Sequence, residues 1–113
     1  MNIDFSSHYD DEWDEWILVA RLGVFQFELH LIEIFNEDDE PTGEYHLLSY
    51  ENISGKGSGL GRSVLNALKD WVKLQGGCSL STSPGGDYLY EMYKDVGFAP
   101  TSDEVTWRTS LTS

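Results

Sequence analysis

The sequence Ser54-Gly-Lys-Gly-Ser-Gly-Leu-Gly61 runs directly into Arg62-Ser-Val-Leu-Asn-Ala-Leu-Lys-Asp-Trp-Val-Lys73, whose apolar residues recur at helical spacing. Glycines leave the backbone free to curl, so that successive N–H groups of such a loop point into one hollow. The start of the following helix adds unpaired N–H groups and the positive end of its dipole. Together these features predict an anion site suited to a pyrophosphate, with Lys56 and Arg62 as sources of positive charge.

The residues around this loop predict one domain in which strands precede two helices that alternate with further strands. The helix after the loop is predicted to end at Gly76-Gly77, and Gly97 is predicted to close a second helix, Tyr88–Val96. Alternating apolar residues from Phe25 to Leu31 predict a strand with one covered face. Further strands are predicted at Trp16–Leu22, Glu44–Tyr50, Cys78–Thr82 and Val105–Leu111. This order is typical of an α/β domain with a mixed sheet.

The first 15 residues are polar and acidic. They predict an acidic N-terminal arm, residues 1–15, with a short strand at Ile3–Phe5, before a domain spanning residues 16–113.

Two common nucleotide-binding loops match poorly. A Walker P-loop needs Gly-Lys-Ser/Thr immediately before its helix, whereas Lys56 is followed by Gly57. A dinucleotide-binding GxGxxG loop needs an acidic ribose ligand about 20 residues later, and the strand Cys78–Thr82 carries no acidic residue. The glycine loop therefore indicates a different phosphate-bearing ligand.

The loop and a second motif together resemble the GNAT family of acetyl-CoA-dependent N-acetyltransferases. The family signature, Gln/Arg-x-x-Gly-x-Gly/Ala at a helix start, is similar to Lys56-Gly-Ser-Gly59-Leu-Gly61. Many members also carry Tyr-x-x-x-Gly-Phe in a later helix, which is similar to Tyr93-Lys-Asp-Val-Gly97-Phe98. The resemblance covers about residues 44–111. It implies an α/β (α+β) fold with a mixed, mostly antiparallel sheet and two helices.

The resemblance also implies a cofactor and catalytic residues. Acetyl-CoA would be held through its pyrophosphate, mainly by backbone amides, in a cradle comprising Lys56, Gly57, Ser58, Gly59, Leu60, Gly61 and Arg62. Tyr93 matches the tyrosine that protonates the departing CoA thiolate. The base is implied to lie on the strand before the loop, where Glu44 and His46 share one face. The implied reaction is acyl transfer to a primary amine.

Three features depart from the family pattern. GNAT domains usually begin with a strand and two helices that wall the acceptor site, and these helices are expected to be missing here. Lys56 replaces the usual Gln or Arg, and Gly86 stands where an Asn often precedes the tyrosine by seven residues. A homodimer that completes the acceptor site from a second copy is one way to reconcile the first departure with catalysis.

Charge is distributed unevenly along the 113 residues, whose net charge is −13. The segment ending at Glu51 holds 14 acidic residues and one base, Arg21, whereas acids and bases balance thereafter. Such a field repels nucleic acid and attracts basic peptides or polyamines. The alternative function is therefore a catalytically degenerate GNAT scaffold whose acidic half binds a basic protein partner, possibly as a nucleic-acid mimic.

Several features of the sequence bear on cellular location and on metal binding. The most apolar stretch, Trp16–Phe35, is interrupted by charged residues, which argues against membrane insertion. The N-terminus has neither the basic start nor the apolar core of a signal peptide. One cysteine, Cys78, cannot form an internal disulfide, so a cytoplasmic location is expected. No Cys/His spacing predicts a metal site.

Overall fold

A computed structural model describes residues 3–53, 60–84, 87–103 and 105–111, except for the side chains of Asp87 and Tyr88. Its seven strands and two helices follow the predicted order, with the short strand Ala99–Pro100 as an addition that the sequence did not predict. They are β1 (Ser6–Asp10), β2 (Glu15–Leu22), β3 (Phe25–Phe35), β4 (Pro41–Asn52), α1 (Gly61–Leu74), β5 (Ser79–Thr82), α2 (Asp87–Asp95), β6 (Ala99–Pro100) and β7 (Trp107–Ser110).

All seven strands form one sheet with the order β1-β2-β3-β4-β5-β7-β6. The pair β4 and β5 is parallel, because α1 crosses over between these two strands. The other neighbouring pairs are antiparallel. The predicted mixed, mostly antiparallel sheet with two helices is therefore confirmed.

The core lies between the two helices and one face of the sheet. The alternation predicted for β3 is confirmed, since Phe27, Leu29 and Leu31 are fully buried and their neighbours are not. Trp71 of α1 meets Trp16 and Tyr45 edge-on, which places α1 against the face that carries these residues. The fully buried residues of α1 are Val64, Leu65, Leu68 and Val72.

The N-terminal strand is displaced from its predicted position. It lies at Ser6–Asp10 rather than at Ile3–Phe5, and it pairs along its length with the start of β2. A hydrophobic pattern could not reveal it because the strand, Ser-Ser-His-Tyr-Asp, is polar and almost wholly exposed. The acidic segment is therefore partly the edge of the sheet.

Only residues 11–14 connect β1 to β2, as a turn. The resemblance placed two helices after the first strand, and they are missing as expected within the described chain. As a result, the sheet face opposite α1 and α2 remains open. Ile17, Val19 and Ile32 of this face are partly exposed. We call it the open face.

Helix α1 ends as its glycines predicted. Gly76 adopts a positive φ of 89°, and the N–H groups of Gly76 and Gly77 donate to the carbonyls of Lys73 and Val72. These bonds satisfy carbonyls of the last turn and direct the chain into β5. In the described part of the chain, no helix is long and apolar enough to span a membrane.

Candidate active site

The sheet opens where its two parallel strands part. Strand β5 pairs with β4 only along Glu44–Leu47 and then ends at Thr82, whereas β4 continues to Asn52. The segment Leu48–Asn52 therefore lacks a β5 neighbour, and we call the gap beside it the wedge. Both helices begin after the carboxyl ends of these strands, at the same edge of the sheet. In open α/β sheets, this edge is where ligands bind.

An irregularity in β4 faces the wedge. His30 and Leu31 are adjacent in β3 but pair with Ser49 and Leu47, so Leu48 is an extra residue in β4. A bulge of this kind changes which face the following side chains occupy and is frequent beside active sites. Beyond it, the ring of Tyr50 lies against Phe27, on the core face of the sheet.

The start of α1 provides backbone donors at the wedge. The first backbone bond of the helix joins the Val64 N–H to the Leu60 carbonyl, which leaves the N–H groups of Gly61, Arg62 and Ser63 without intrahelical partners. Leu60 provides no side-chain cap, and no acidic residue lies in the first turn. These features suit an anion. Lys56, Gly57, Ser58 and Gly59 lie outside the described residues.

Gly61 and Arg62 also fix the position of α2. A Cβ on Gly61 would lie 2.7 Å from Met92 Sδ and 2.9 Å from Tyr50 Oη, so the helices approach this closely only because residue 61 is glycine. The Arg62 guanidinium donates to Asp95 Oδ2 from Nε and Nη2, at 2.7 Å in each case. The Arg62 side chain therefore joins α1 to α2. The part predicted for Arg62 in the cradle is accordingly assigned to its backbone N–H.

Two tyrosines lie at the inner end of the wedge. Tyr93 of α2 is 3% exposed, and its ring meets Phe98 edge-on. Burial raises the pKa of Tyr93, although a hydrogen bond with Thr82 partly offsets the effect. Burial, with a smaller electrostatic contribution from Tyr93, raises the pKa of Tyr50 to about 12. Both hydroxyls therefore remain protonated at neutral pH and can donate hydrogen bonds.

Sequence reasoning missed Tyr50. The signal that could have found it is a tyrosine at the end of the strand that enters the glycine loop. Its orientation, however, depends on the bulge at Leu48, which alternation alone does not predict.

Glu44 and His46 occupy the open face of β4, because Tyr45 and Leu47 between and beside them are buried against the core. Arg108 of β7 donates to Glu44 Oε1 at 2.6 Å, and Ser79 donates to the same oxygen at 3.2 Å. His46 Nδ1 lies 2.8 Å from Ser81 Oγ. The structure thus keeps both residues beside the wedge but on the opposite face from Tyr93. Their role as base stays a prediction.

A second histidine, His30, forms a separate cluster on the open face. His30 Nδ1 is 2.6 Å from Glu15 Oε1, and its Nε2 is 3.4 Å from Glu28 Oε2. Burial lowers the pKa of His30, but the hydrogen bonds and charges of Glu15 and Glu28 outweigh burial, so the pKa is raised above its usual 6.5. His30 is therefore held protonated more strongly in the folded state than in the unfolded state.

The His30 cluster should contribute stability that depends on pH. Because the folded pKa is raised, this contribution is fully present below pH 6.5 and is lost as the pH rises through the folded pKa. We expect His30→Gln to lower the free energy of unfolding more at pH 6 than at pH 9, measured by urea denaturation. His8→Gln, on exposed β1, is the matched control. An equal loss at both pH values would contradict the assignment.

Comparison with solved structures finds close matches in fold. The crystal structure of AtaTR bound with acetyl-CoA matches with a TM-score of 0.62 at 19% identity, over 86% of this chain and 66% of that one. A chain of the AtaT–AtaR complex bound to DNA matches with a TM-score of 0.68 at 13% identity, over 98% and 95%. A candidate acetyltransferase of the GNAT family from Desulfovibrio desulfuricans matches with a TM-score of 0.66 at 18% identity, over 89% and 71%.

No protein-family model matches the sequence, and no curated protein matches it either. The likeness therefore rests on three-dimensional structure, at identities that establish the fold alone. The strand order, the single parallel pair and the structural matches agree with the family that the glycine loop and the Tyr93 motif resemble. The chain is a GNAT-fold protein.

Proposed function

We propose that the protein is an N-acetyltransferase that transfers an acetyl group from acetyl-CoA to a primary amine. The observation that carries the proposal is the wedge between β4 and β5. It opens at the start of α1, next to Tyr50 of β4 and next to Thr82, which shares a hydrogen bond with Tyr93. A thioester needs such a slot, in which a proton donor can reach the sulfur as the thiolate leaves.

The residues at the wedge fit a CoA ester. The first-turn N–H groups of α1 would hold the pyrophosphate, since among the described residues the N-cap Leu60 offers no side-chain cap and the first turn carries no acid. Bound acetyl-CoA would supply the activated acyl group. Tyr93 Oη would donate a proton to the sulfur, and the buried surroundings of Tyr93 keep that proton in place at neutral pH. The acetyl-CoA complex of AtaTR supports this choice of cofactor.

The amine would approach from the open face. Glu44 and His46 lie on that face, in the paired part of β4 that precedes the wedge, where a base can receive the proton of the amine. The acidic residues of the first half of the chain favour an acceptor with further positive charge, such as a polyamine or a lysine-rich peptide.

Tyr93→Phe should separate binding from chemistry. It removes one hydroxyl and keeps the buried ring, so acetyl-CoA affinity in calorimetry should change little. Turnover should fall about 100-fold or more, the usual minimum for losing a general acid. Turnover is best followed by chromatography of CoA, because the exposed Cys78 thiol would react with thiol reagents.

Tyr90→Phe is the matched control, since Tyr90 is on the same helix but stacks on Trp107 at a ring distance of 5.2 Å. It should leave turnover unchanged. Full activity in Tyr93→Phe would remove Tyr93 from the mechanism. No acetyl-CoA binding at millimolar concentration would contradict the enzyme proposal itself.

A second candidate function, binding to a basic protein, is favoured by aromatic residues at the far end of the sheet. The β1–β2 turn and residues 36–40 both lie at the end opposite the wedge, as the strand register requires. Trp13 is 70% exposed, Phe35 51% and Tyr9 41%. Exposed aromatic side chains are typical anchors of protein interfaces. Ten acids share this end: Asp10, Asp11, Glu12, Asp14, Glu15, Glu33, Glu37, Asp38, Asp39 and Glu40.

The scaffold candidate is tested with a 12-residue peptide of alternating arginine and leucine. If aromatic anchors and charge act together, Trp13→Ala should weaken peptide binding about tenfold, a typical effect for an anchor residue. Val24→Ala, an exposed apolar residue at the wedge end, should leave binding unchanged. Binding is measured by calorimetry at two salt concentrations. If both variants and the wild type bind the peptide equally, the surface attracts it only through non-specific charge.

A further inference from the structure

Five polar side chains cross three adjacent strands on the open face. Glu44 and His46 of β4 lie beside Ser79 and Ser81 of β5, and Arg108 of β7 pairs with Ser81. The residues between them in sequence, such as Leu80, face the core. The group is therefore a layer opposite the helices, at the inner limit of the wedge.

The carboxylate of Glu44 is already engaged in hydrogen bonds within this cluster. Its Oε1 accepts a hydrogen bond of 2.6 Å from Arg108 Nε and another of 3.2 Å from Ser79 Oγ. Arg108 Nη2 also lies 3.5 Å from the other oxygen, Oε2. Both carboxylate oxygens are therefore engaged within the cluster, by Arg108 and Ser79.

His46 has a different environment. Its Nδ1 lies 2.8 Å from the hydroxyl of Ser81, which is 1% exposed. A neutral imidazole carries one N–H, and the partner of one nitrogen selects the tautomer. If Nδ1 donates to Ser81 Oγ, the lone pair lies on Nε2, which can then take a proton from an acceptor. In that arrangement Ser81 holds the imidazole through Nδ1 and fixes the direction of Nε2.

The charges around His46 come from each neighbouring strand. Strand β4 contributes Glu44, β7 contributes Arg108, and β3 places Ile32 opposite His46, with Glu28 and His30 further along. Burial lowers the pKa of His46, the Glu44 carboxylate raises it, and Arg108 lowers it. Because Arg108 binds Glu44, it offsets the negative charge that would otherwise favour a protonated histidine.

His46 and Tyr93 both lie next to the last pair of β4 and β5, on opposite faces of the sheet. His46 precedes Leu47, the last residue of β4 that pairs with β5, and its partner there is Thr82. Thr82 Oγ1 donates to the Leu47 carbonyl and also shares a hydrogen bond with Tyr93. A reacting group held at this point would have a proton donor on one side and an imidazole on the other.

We infer that His46, and not Glu44, is the base of the proposed transfer, that Ser81 orients its ring, and that Arg108 compensates the charge of Glu44 beside it. The inference rests on the proposed acetyl transfer. His46 Nε2 takes the proton that the amine nitrogen loses as its bond to the acyl carbon forms. Tyr93 Oη gives its proton to the sulfur as the carbon–sulfur bond breaks. One proton is therefore removed and one is supplied.

The arrangement is tested by nitrogen-15 NMR of the histidine rings in the full chain, with His46→Gln for assignment. At neutral pH, His46 should carry its proton on Nδ1. Ser81→Ala should move the tautomer balance toward Nε2–H, whereas Ser79→Ala, which removes the neighbouring serine of the same strand, should not. A wild-type His46 protonated on Nε2 would overturn the role given to Ser81.

The proximity of Glu44 and Arg108 to His46 predicts two shifts of the His46 titration midpoint, in opposite directions. Arg108→Gln should raise the titration midpoint of His46 by about one pH unit, because it removes a positive charge and frees Glu44. Glu44→Gln should lower the midpoint, since it leaves Arg108 unpaired. Arg21→Gln, which removes an arginine that contacts Gln26, should change nothing. A midpoint that is unmoved, or that moves the same way in the Arg108 and Glu44 variants, would overturn the role of Arg108.

The acidic limb of the pH–turnover profile then links titration to catalysis. It should move with the His46 midpoint in Arg108→Gln and Glu44→Gln, upward in the first and downward in the second. A limb that does not follow the midpoint would overturn the inference that His46 is the base. Absence of acetyl-CoA binding and turnover in the wild type would count against the proposed function instead, while the NMR titrations would still decide the roles of Ser81 and Arg108.

Discussion

The parting of β4 from β5 is the constraint on which the rest of the site depends. Two parallel strands joined by a crossover helix place their carboxyl ends, and the starts of both helices, at one edge of the sheet. Because β5 ends after four residues, the second half of β4 has no neighbour on that side. The resulting gap lies next to the first-turn donors of α1, to the partly buried Tyr50 and to Thr82, the hydrogen-bond partner of buried Tyr93. None of these features would form a site without the gap.

The gap is also open to both faces of the sheet. On the helix face, Tyr93 is buried by the packing of α2 on the sheet, which keeps its hydroxyl protonated. On the open face, the short turn between β1 and β2 leaves the sheet uncovered in the described chain. A cofactor and an acceptor can therefore approach from different sides of the sheet. The helices that wall the acceptor site in the family are absent from the described chain, so the acceptor side is uncovered there.

Charge divides the molecule along the sheet. The acidic turns lie at the end away from the wedge, whereas the N–H groups at the start of α1 lie at the wedge itself. An anionic cofactor and a cationic protein partner are thus favoured by different ends of one small domain. This separation is why the enzyme and the scaffold proposals both follow from the same chain and are distinguished by different variants.

Much of the fold could be predicted from the sequence, because buried faces impose local patterns. The alternation in β3, the apolar stripe of α1 and the closing glycines all correspond to observed elements. The site was less predictable. Glu44 meets Arg108 from 64 positions away, and Tyr50 depends on one extra residue in β4. Long-range pairs and a bulge produce no periodic pattern of apolar residues in the sequence. The polar strand β1 produces none either.

The central claim, that the wedge is the acetyl-CoA site, is tested most directly by mapping backbone amide NMR shifts during titration with acetyl-CoA. The account predicts saturable shifts concentrated at Leu48–Asn52, at Leu60–Arg62 and at Thr82. Shifts confined to other surfaces, for example to the groove between Phe5 and Trp71 on the outside of α1, or no shifts at millimolar acetyl-CoA, would contradict it.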